Sequence, residues 1–319
     1  ALAGARRGVE ARILPTRPYP HTLLPVEPVY RRQWWKNLRW PFLAVRLLRQ
    51  VDQLLDREQP DLVVGTGGYA SGPVVWRAAS RGIPTAIQEQ NAYPGLASRW
   101  LARRVRHIYL GVPESRGLLS PGPETAVFDT GNPIQPPDPA RREAALRRFG
   151  LRGDRPILLV TGGSQGSRAV NAFIAEWLDQ GGRAQADVLL VTGSTTYGEF
   201  RQLHMPPGVQ VIEFLDPMAD GWAVADLVVG RAGMMTIAEI CAWGLPSILI
   251  PLPTAAADHQ TPNARVMAEA GAAVFLPQAG LTAARLGTEI TRLLQDGEAR
   301  TAMAERARGR GRPEAGSTI

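Results

Sequence analysis

The sequence holds one cysteine, Cys241, and four histidines in 319 residues. A single thiol cannot form an internal disulfide, and it fits a reducing compartment. His21, His107, His204 and His259 share no ligand spacing, so neither they nor the cysteine can build a zinc site, and no metal is expected. Long apolar runs are also missing. No stretch approaches the ~18 to 20 apolar residues that a membrane-spanning helix needs, and residues 1–14 carry no signal-peptide core. Acidic residues are outnumbered, 29 against 36 basic ones, and the formal charge of +7 favours an anionic partner: nucleic acid, anionic lipid or a phosphorylated substrate.

What is present is an α/β grammar. Short apolar runs bounded by glycine, proline and polar residues alternate with stretches of helical periodicity, as in a parallel sheet covered by helices. The strand candidates of the first half are Ala11–Leu14, Leu62–Val64, Thr85–Ile87 and His107–Leu110. Those of the second are Ile157–Thr161, Val188–Thr192, Val209–Phe214, Leu227–Val229, Ser247–Pro251 and Ala273–Leu276. A chain of 319 residues exceeds what one core organises, so two domains are expected. Between the halves, Thr130-Gly131-Asn132-Pro133 and the prolines up to Pro139 read as a linker, giving domains over 1–132 and 133–319. The chain opens at Ala1-Leu2-Ala3-Gly4 as if inside a βα unit whose first strand is absent, the form of a fragment or a processed chain. At the other end, Arg308–Ile319 reads as polar and poorly structured.

Three glycine loops follow strand candidates. Gly162-Gly163-Ser164-Gln165-Gly166-Ser167-Arg168 follows Ile157–Val160 and opens a helical stretch, Val170–Leu178. Free N–H groups and the helix dipole at such a turn hold phosphate, and glycine lets the backbone approach the anion. Gly230-Arg231-Ala232-Gly233 follows Leu227–Val229 and leads into Met234-Met235-Thr236-Ile237-Ala238-Glu239. Gly65-Thr66-Gly67-Gly68-Tyr69 follows Leu62–Val64. Alone, each is as well explained by a tight packing turn; together they favour a nucleotide-diphosphate ligand in a cleft beyond the strand ends. Glu239 is a candidate acceptor for a ribose diol, against the plain alternative of a solvated helix glutamate. Asp258-His259-Gln260 with Asn263, and Glu89-Gln90-Asn91, carry amides suited to sugar hydroxyls or, equally, to helix capping.

Two rivals compete for the loop at Gly162. It lacks the Gly-Lys-Ser/Thr ending of a P-loop, which argues against ATP hydrolysis. It does have the Gly-x-Ser-x-Gly form of a nucleophile elbow, for which His259 after Asp226 or Glu239 would complete a triad. Elsewhere, Arg31, Arg32, Lys36, Arg39, Arg46 and Arg49 interleave with Trp34, Trp35 and Trp40 without an acid between Tyr30 and Gln50. This is the composition of an interfacial membrane anchor, which Arg99–Arg104 would extend; a single amphipathic helix using its tryptophans as core is the alternative. Three tryptophans so close together suit anchoring better than base stacking, so no nucleic acid is expected.

Taken in order, the motifs resemble the MurG family, bacterial glycosyltransferases of the two-domain GT-B fold. The resemblance runs through Thr66–Pro73, Glu89–Ala92, Thr130–Pro133, Gly162–Gly166, Arg231–Gly233 with Glu239, and Asp258–Gln260 with Asn263 and Ala264. It implies two Rossmann-like domains and transfer of N-acetylglucosamine from UDP-N-acetylglucosamine to lipid I, giving lipid II with inversion, at the cytoplasmic face of the bacterial inner membrane. No cofactor is implied. On this resemblance Ser164 meets the donor diphosphate, Phe214 and Leu215 border the uracil, Met234, Met235, Thr236, Ile237, Ala238 and Glu239 line the nucleoside, and Gln260 and Asn91 contact the sugar. Gly67, Gly68 and Tyr69 face the acceptor, and Arg31, Arg32, Trp34, Trp35, Lys36 and Trp40 dock on an anionic membrane surface. The sequence departs from the family pattern at Gln135, where an arginine is common, and at Gln88, where a histidine is. The family's first glycine loop and its catalytic histidine would lie upstream of Arg7, which leaves Glu89 as the alternative base. Another lipid-directed transferase of this fold, or a UDP-sugar epimerase or hydrolase, would share the donor loops.

Overall fold

The computed structural model describes residues 1–8, 10–26, 40–163, 165–255 and 258–319, with the side chains of 40–42 outside the description. The chain divides into two compact units, Ala1–Thr130 and Gly131–Ile319. In the first, strand β1 (Leu2–Ala5), helix α1 (Glu10–Ile13) and β2 (His21–Leu24) precede α2 (Trp40–Glu58). Then follow β3 (Val63–Gly65), α3 (Gly68–Ser80), β4 (Thr85–Glu89), α4 (Leu96–Leu101), β5 (His107–Leu110) and β6 (Ala126–Asp129). β1 and β2 form a parallel pair, and β3-β4-β5-β6 a four-stranded parallel sheet.

The second unit carries α5 (Arg141–Phe149), β7 (Ile157–Thr161), α6 (Arg168–Asp179), β8 (Asp187–Val191), α7 (Tyr197–Phe200), β9 (Val209–Ile212) and α8 (Ala219–Val224). It continues with β10 (Leu227–Gly230), α9 (Met234–Trp243), β11 (Ser247–Leu249), α10 (Gln260–Glu269), β12 (Val274–Phe275), α11 (Ala283–Gln295), α12 (Gly297–Arg310) and α13 (Ala315–Thr318). Its sheet has six parallel strands in the order β12-β11-β10-β7-β8-β9. The central strands are buried along their whole length, every residue of β7, β8 and β10 included; the one charge among them, Asp187 at the start of β8, is paired with Arg155 at 3.0 Å.

Two sequence expectations fail. Ala11–Leu14 is helical, the end of α1 running into a single 3-10 turn, and the neighbouring strands are instead Leu2–Ala5 and His21–Leu24. The apolar run Ala11-Arg12-Ile13-Leu14 is too short for periodicity to separate strand from helix. The C-terminus is ordered: α12 extends to Arg310, α13 follows, and Ala307 and Ala315 are buried. Its arginines hid this by composition. The Arg312 stem lies against Gly131, covering surface with methylene while the sequence reads as charged, and the Arg308 guanidinium lies against Gly244.

One ion-pair cluster makes a testable contribution to stability. Asp220 of α8 accepts from Arg141 Nη1 at 2.8 Å and Arg148 Nη1 at 2.5 Å of α5. Burial pushes this carboxyl up, but the hydrogen bonds and charges of Arg148 and Arg141 outweigh it and hold it below its ordinary value. A depressed acid stabilises the fold above its unfolded pKa and loses that contribution as pH falls through the folded value. Asp220→Asn is expected to cost about 1–2 kcal/mol at neutral pH, the arginines being partly solvated, and almost nothing once the wild-type carboxyl is protonated. Denaturant unfolding of both proteins at pH 7 and across the acid limb checks this; equal differences at both ends would contradict it.

Candidate active site

The second-unit sheet reverses its strand order between β7 and β10: from β7 the chain winds outward to β8 and β9, and from β10 to β11 and β12. Crossover helices leave such a point in opposite directions, opening a crevice beyond the strand carboxyl ends. Gly162–Ser167 and Gly230–Gly233 leave the sheet there, from paired strands on which Gly230 lies opposite Thr161.

The first loop is shaped by close backbone approach. Gly166 has φ +76°, and a Cβ on it would lie 1.9 Å from the carbonyl oxygen of Thr192. Gly163 has φ +81° but faces open space. Thr195 Oγ1 donates to the Gln165 carbonyl at 2.9 Å, and buried Asn171 ties α6 to the same neighbour by donating to Thr192 O and Thr196 Oγ1. Ser167 caps α6, its Oγ accepting from Val170 N at 3.3 Å. The result is a turn held to the segment after β8, at the positive end of a 12-residue helix. Ser164 lies outside the described residues.

The second loop is braced from below. Arg231 donates through Nη1 to the carbonyls of Ile250 and Pro251, and through Nη2 to Ser167 Oγ at 2.6 Å and Gln278 Oε1 at 2.7 Å. Buried Asn263 donates to Ala232 O at 3.2 Å, and Gln260 Oε1 accepts from Leu252 N at 2.9 Å. The amides of α10 thus tie the loops around the crevice. Along α9, Met234 and Ile237 turn into the core while Met235, Thr236, Ala238 and Glu239 stay accessible. Burial raises the Glu239 carboxyl above its ordinary value; the Trp222 indole N–H beside it opposes the rise without closing a hydrogen bond of normal geometry. Leu215 is buried and its neighbour Phe214 is 58% exposed, so the pair offers one accessible ring beyond β9. Gln135 is exposed on the proline-rich segment before α5.

In the first unit, Gly67 and Gly68 adopt φ +92° and +76° ahead of α3, and Tyr69 stands exposed on its first turn. Glu89 ends β4 buried, its Oε1 accepting from Asn91 N and Nδ2 and its Oε2 from Gly95 N at 2.9 Å. That carboxylate braces the 90–95 loop, which leaves it poorly placed to take a proton from a substrate. Arg31, Arg32, Trp34, Trp35 and Lys36 lie outside the described residues, and of Trp40 only the backbone at the start of α2 is described.

The nucleophile-elbow reading loses an acid. Asp226 sits at the amino end of β10, accepting from Ile157 N, at the opposite end of the sheet from the Gly162 loop. Among the described residues no group of His, Cys, Asp or Glu is gathered as metal ligands. Sequence reasoning saw Arg231 and Ser167 only as parts of motifs and missed Asn171. The available signal was an arginine directly after an apolar strand and its closing glycine.

Comparison with known proteins adds identity. Residues 2–110 match the glycosyltransferase family 28 N-terminal domain and 157–319 its C-terminal domain. The chain is 41% identical to the UDP-N-acetylglucosamine–N-acetylmuramyl-(pentapeptide) pyrophosphoryl-undecaprenol N-acetylglucosamine transferase of Salinibacter ruber, over 100% of this chain and 86% of the relative. To the enzyme of the same name from Desulforamulus reducens it is 37% identical, over 99% and 87%. The crystal structure of Acinetobacter baumannii MurG superposes with a TM-score of 0.76 at 26% identity, covering 99% of this chain and 88% of that one. The UDP complex of S. aureus MnaA, at 14% identity and a TM-score of 0.65, shares the fold alone. With both domains matched and both halves sharing one βα plan, the chain belongs to glycosyltransferase family 28, in the MurG family of N-acetylglucosamine transferases with the GT-B fold.

Proposed function

We propose that the protein transfers N-acetylglucosamine from UDP-N-acetylglucosamine to the undecaprenyl-diphosphoryl-muramoyl-pentapeptide acceptor, lipid I, with inversion at the anomeric carbon. The observation that carries this reading is the pair of loops at the β7/β10 reversal in a chain 41% identical to a transferase of that name over its whole length. The acceptor hydroxyl attacks the anomeric carbon as the bond to the UDP oxygen breaks, and the hydroxyl proton leaves to a base. Negative charge then grows on the departing diphosphate, where the α6 dipole and the N–H groups at the start of that helix stabilise it. Glu239 accepts from the ribose diol, Met235, Thr236 and Ala238 border the nucleoside, and Phe214 with Leu215 flank the uracil. Gln260 and Asn91 serve the sugar, Ser164 the diphosphate, and the Gly67–Tyr69 turn the acceptor.

The acceptor's lipid requires a membrane surface, and we assign the protein to the cytoplasmic face of the inner membrane. Among the described residues no helix is long and apolar enough to cross a membrane. Around α4, Leu96 is 74% and Trp100 46% exposed, and Arg104 lies 5.2 Å from the Trp100 ring with Arg99 over Tyr93. Exposed apolar side chains ringed by arginine support docking on anionic headgroups, which the composition of the Trp34–Trp40 stretch also suits.

Calorimetric titration with UDP-N-acetylglucosamine, using ADP-glucose as control, tests the donor half. Saturable binding of the uridine sugar with at least tenfold preference is expected; equal binding of both, or of neither, contradicts the reading. Release of free sugar from the donor without acceptor would point to hydrolase or epimerase chemistry.

A further inference from the structure

Arg231 is 6% exposed, yet no carboxylate pairs with it among the described residues. Its partners are two carbonyls, a hydroxyl and an amide, all neutral, and its Nε has none. A buried cation without a counter-ion is costly, and a fold needing only a brace here can use a neutral amide, as Asn263 does one helix away. Burial alone depresses the guanidinium, to about 10, which leaves it charged at neutral pH.

We infer that Arg231 is a built-in counter-charge for the anionic part of the ligand, a positioning residue that acts through Ser167 and is kept uncompensated by the neutral Gln278. The inference rests on the donor-binding reading above and goes beyond it in assigning the charge that the loop itself lacks. Ser167 supplies the link. Its Oγ accepts from Arg231 Nη2 and from Val170 N, which occupies both lone pairs and leaves the hydroxyl proton to donate. The guanidinium polarises that O–H at the mouth of α6, at the positive end of the helix dipole. Its other bonds, to Ile250, Pro251 and Gln278, hold the neighbouring strand ends to the same point. A phosphate oxygen arriving there meets a dipole, a polarised hydroxyl and a full positive charge one group behind it.

Gln278→Glu tests this with little change of shape, since it sets a carboxylate where Gln278 Oε1 now lies, 2.7 Å from Arg231 Nη2. An internal anion then competes with the ligand's. UDP and pyrophosphate affinities are expected to fall about tenfold or more, while uridine, which lacks phosphate, binds within about twofold of wild type. Ser167→Ala, which keeps the charge but cuts the link, is expected to weaken UDP by about three- to tenfold and to couple non-additively with Gln278→Glu in the double variant. Proportional losses for UDP and uridine, or unchanged UDP binding in both variants, would overturn the inference and leave the donor reading standing. Wild type that binds pyrophosphate but no uridine compound, with the Gln278→Glu loss intact, would sustain the counter-charge and remove the nucleotide reading. Wild type that binds neither would end both.

Discussion

Replacing Glu239 with alanine is expected to cost the protein its grip on uridine nucleotides, by roughly 30- to 1000-fold, with the fold intact. The carboxylate stands on the accessible side of α9, six residues after Gly233, beside the crevice at the β7/β10 reversal. Two charge-assisted hydrogen bonds to a ribose diol are worth about 2–4 kcal/mol after partial solvation is allowed for, which is that range of affinity. Stability should change by less than about 1 kcal/mol, because the burial that raises its pKa is itself unfavourable to the charge. The same shift sets a pH dependence. The protein must hold Glu239 ionised to accept both hydroxyls, so UDP affinity should fall on acidification with its inflection above that of an ordinary glutamate. Glu239→Gln should lose that inflection, since its amide does not titrate. Calorimetry of wild type, Glu239→Ala and Glu239→Gln between pH 5 and 8 reads all three quantities; an alanine variant that binds UDP as wild type does would remove Glu239 from the site.

Gly166→Ala is expected to be the most damaging single substitution in the crevice, destabilising by more than about 4 kcal/mol or preventing folding. Its new methyl would meet the Thr192 carbonyl at 1.9 Å, with Gly193 Cα at 2.8 Å, backbone just past β8 that is held by Thr192 N and Gly193 N donating to the carbonyls of Ile212 and Glu213. Gly163→Ala isolates the conformational part of that cost. Gly163 shares a positive φ, +81°, but nothing lies within 4 Å of its would-be Cβ, so only the left-handed strain remains, about 1 kcal/mol. That methyl would stand on the open side of the turn, so nucleotide affinity should drop more than stability does. Thermal unfolding of the two variants, with UDP titration of the folded one, checks the contrast. Similar stability losses at both positions would mean that the loop is not packed as described.

Much of the second unit was legible in the sequence. Nine of the ten strand candidates, six in the second unit and three in the first, have a counterpart within about two residues, because each is a short, mostly apolar run bounded by glycine, proline or polar residues. The failures lie where that reason lapses. β1, β2 and β6 are short and partly exposed, so Leu2–Ala5, His21–Leu24 and Ala126–Asp129 carry no continuous apolar signal, whereas Ala11–Leu14 carries one and is helical. In the same way α12 and α13 hide behind arginines whose stems cover the surface.

The candidate site divides along a related line. Glycine loops, Glu239 and the amides of α10 are readable because their chemistry is local: a backbone that must turn sharply, a carboxylate after a helix start, side chains with both donors and acceptors. Glu89, by contrast, reads equally as base or brace until its three N–H partners are seen. Composition and motif order alone determined that this is a two-domain α/β chain with glycine loops after its strands and the pattern of one glycosyltransferase family. Tertiary structure decided that the loops meet at a strand-order reversal, that Asp226 lies at the wrong end of the sheet for a triad, and that Arg231 is buried without a counter-ion. Those facts depend on which residues from distant segments become neighbours, and strand order and burial are properties of the packed chain that no local spacing encodes.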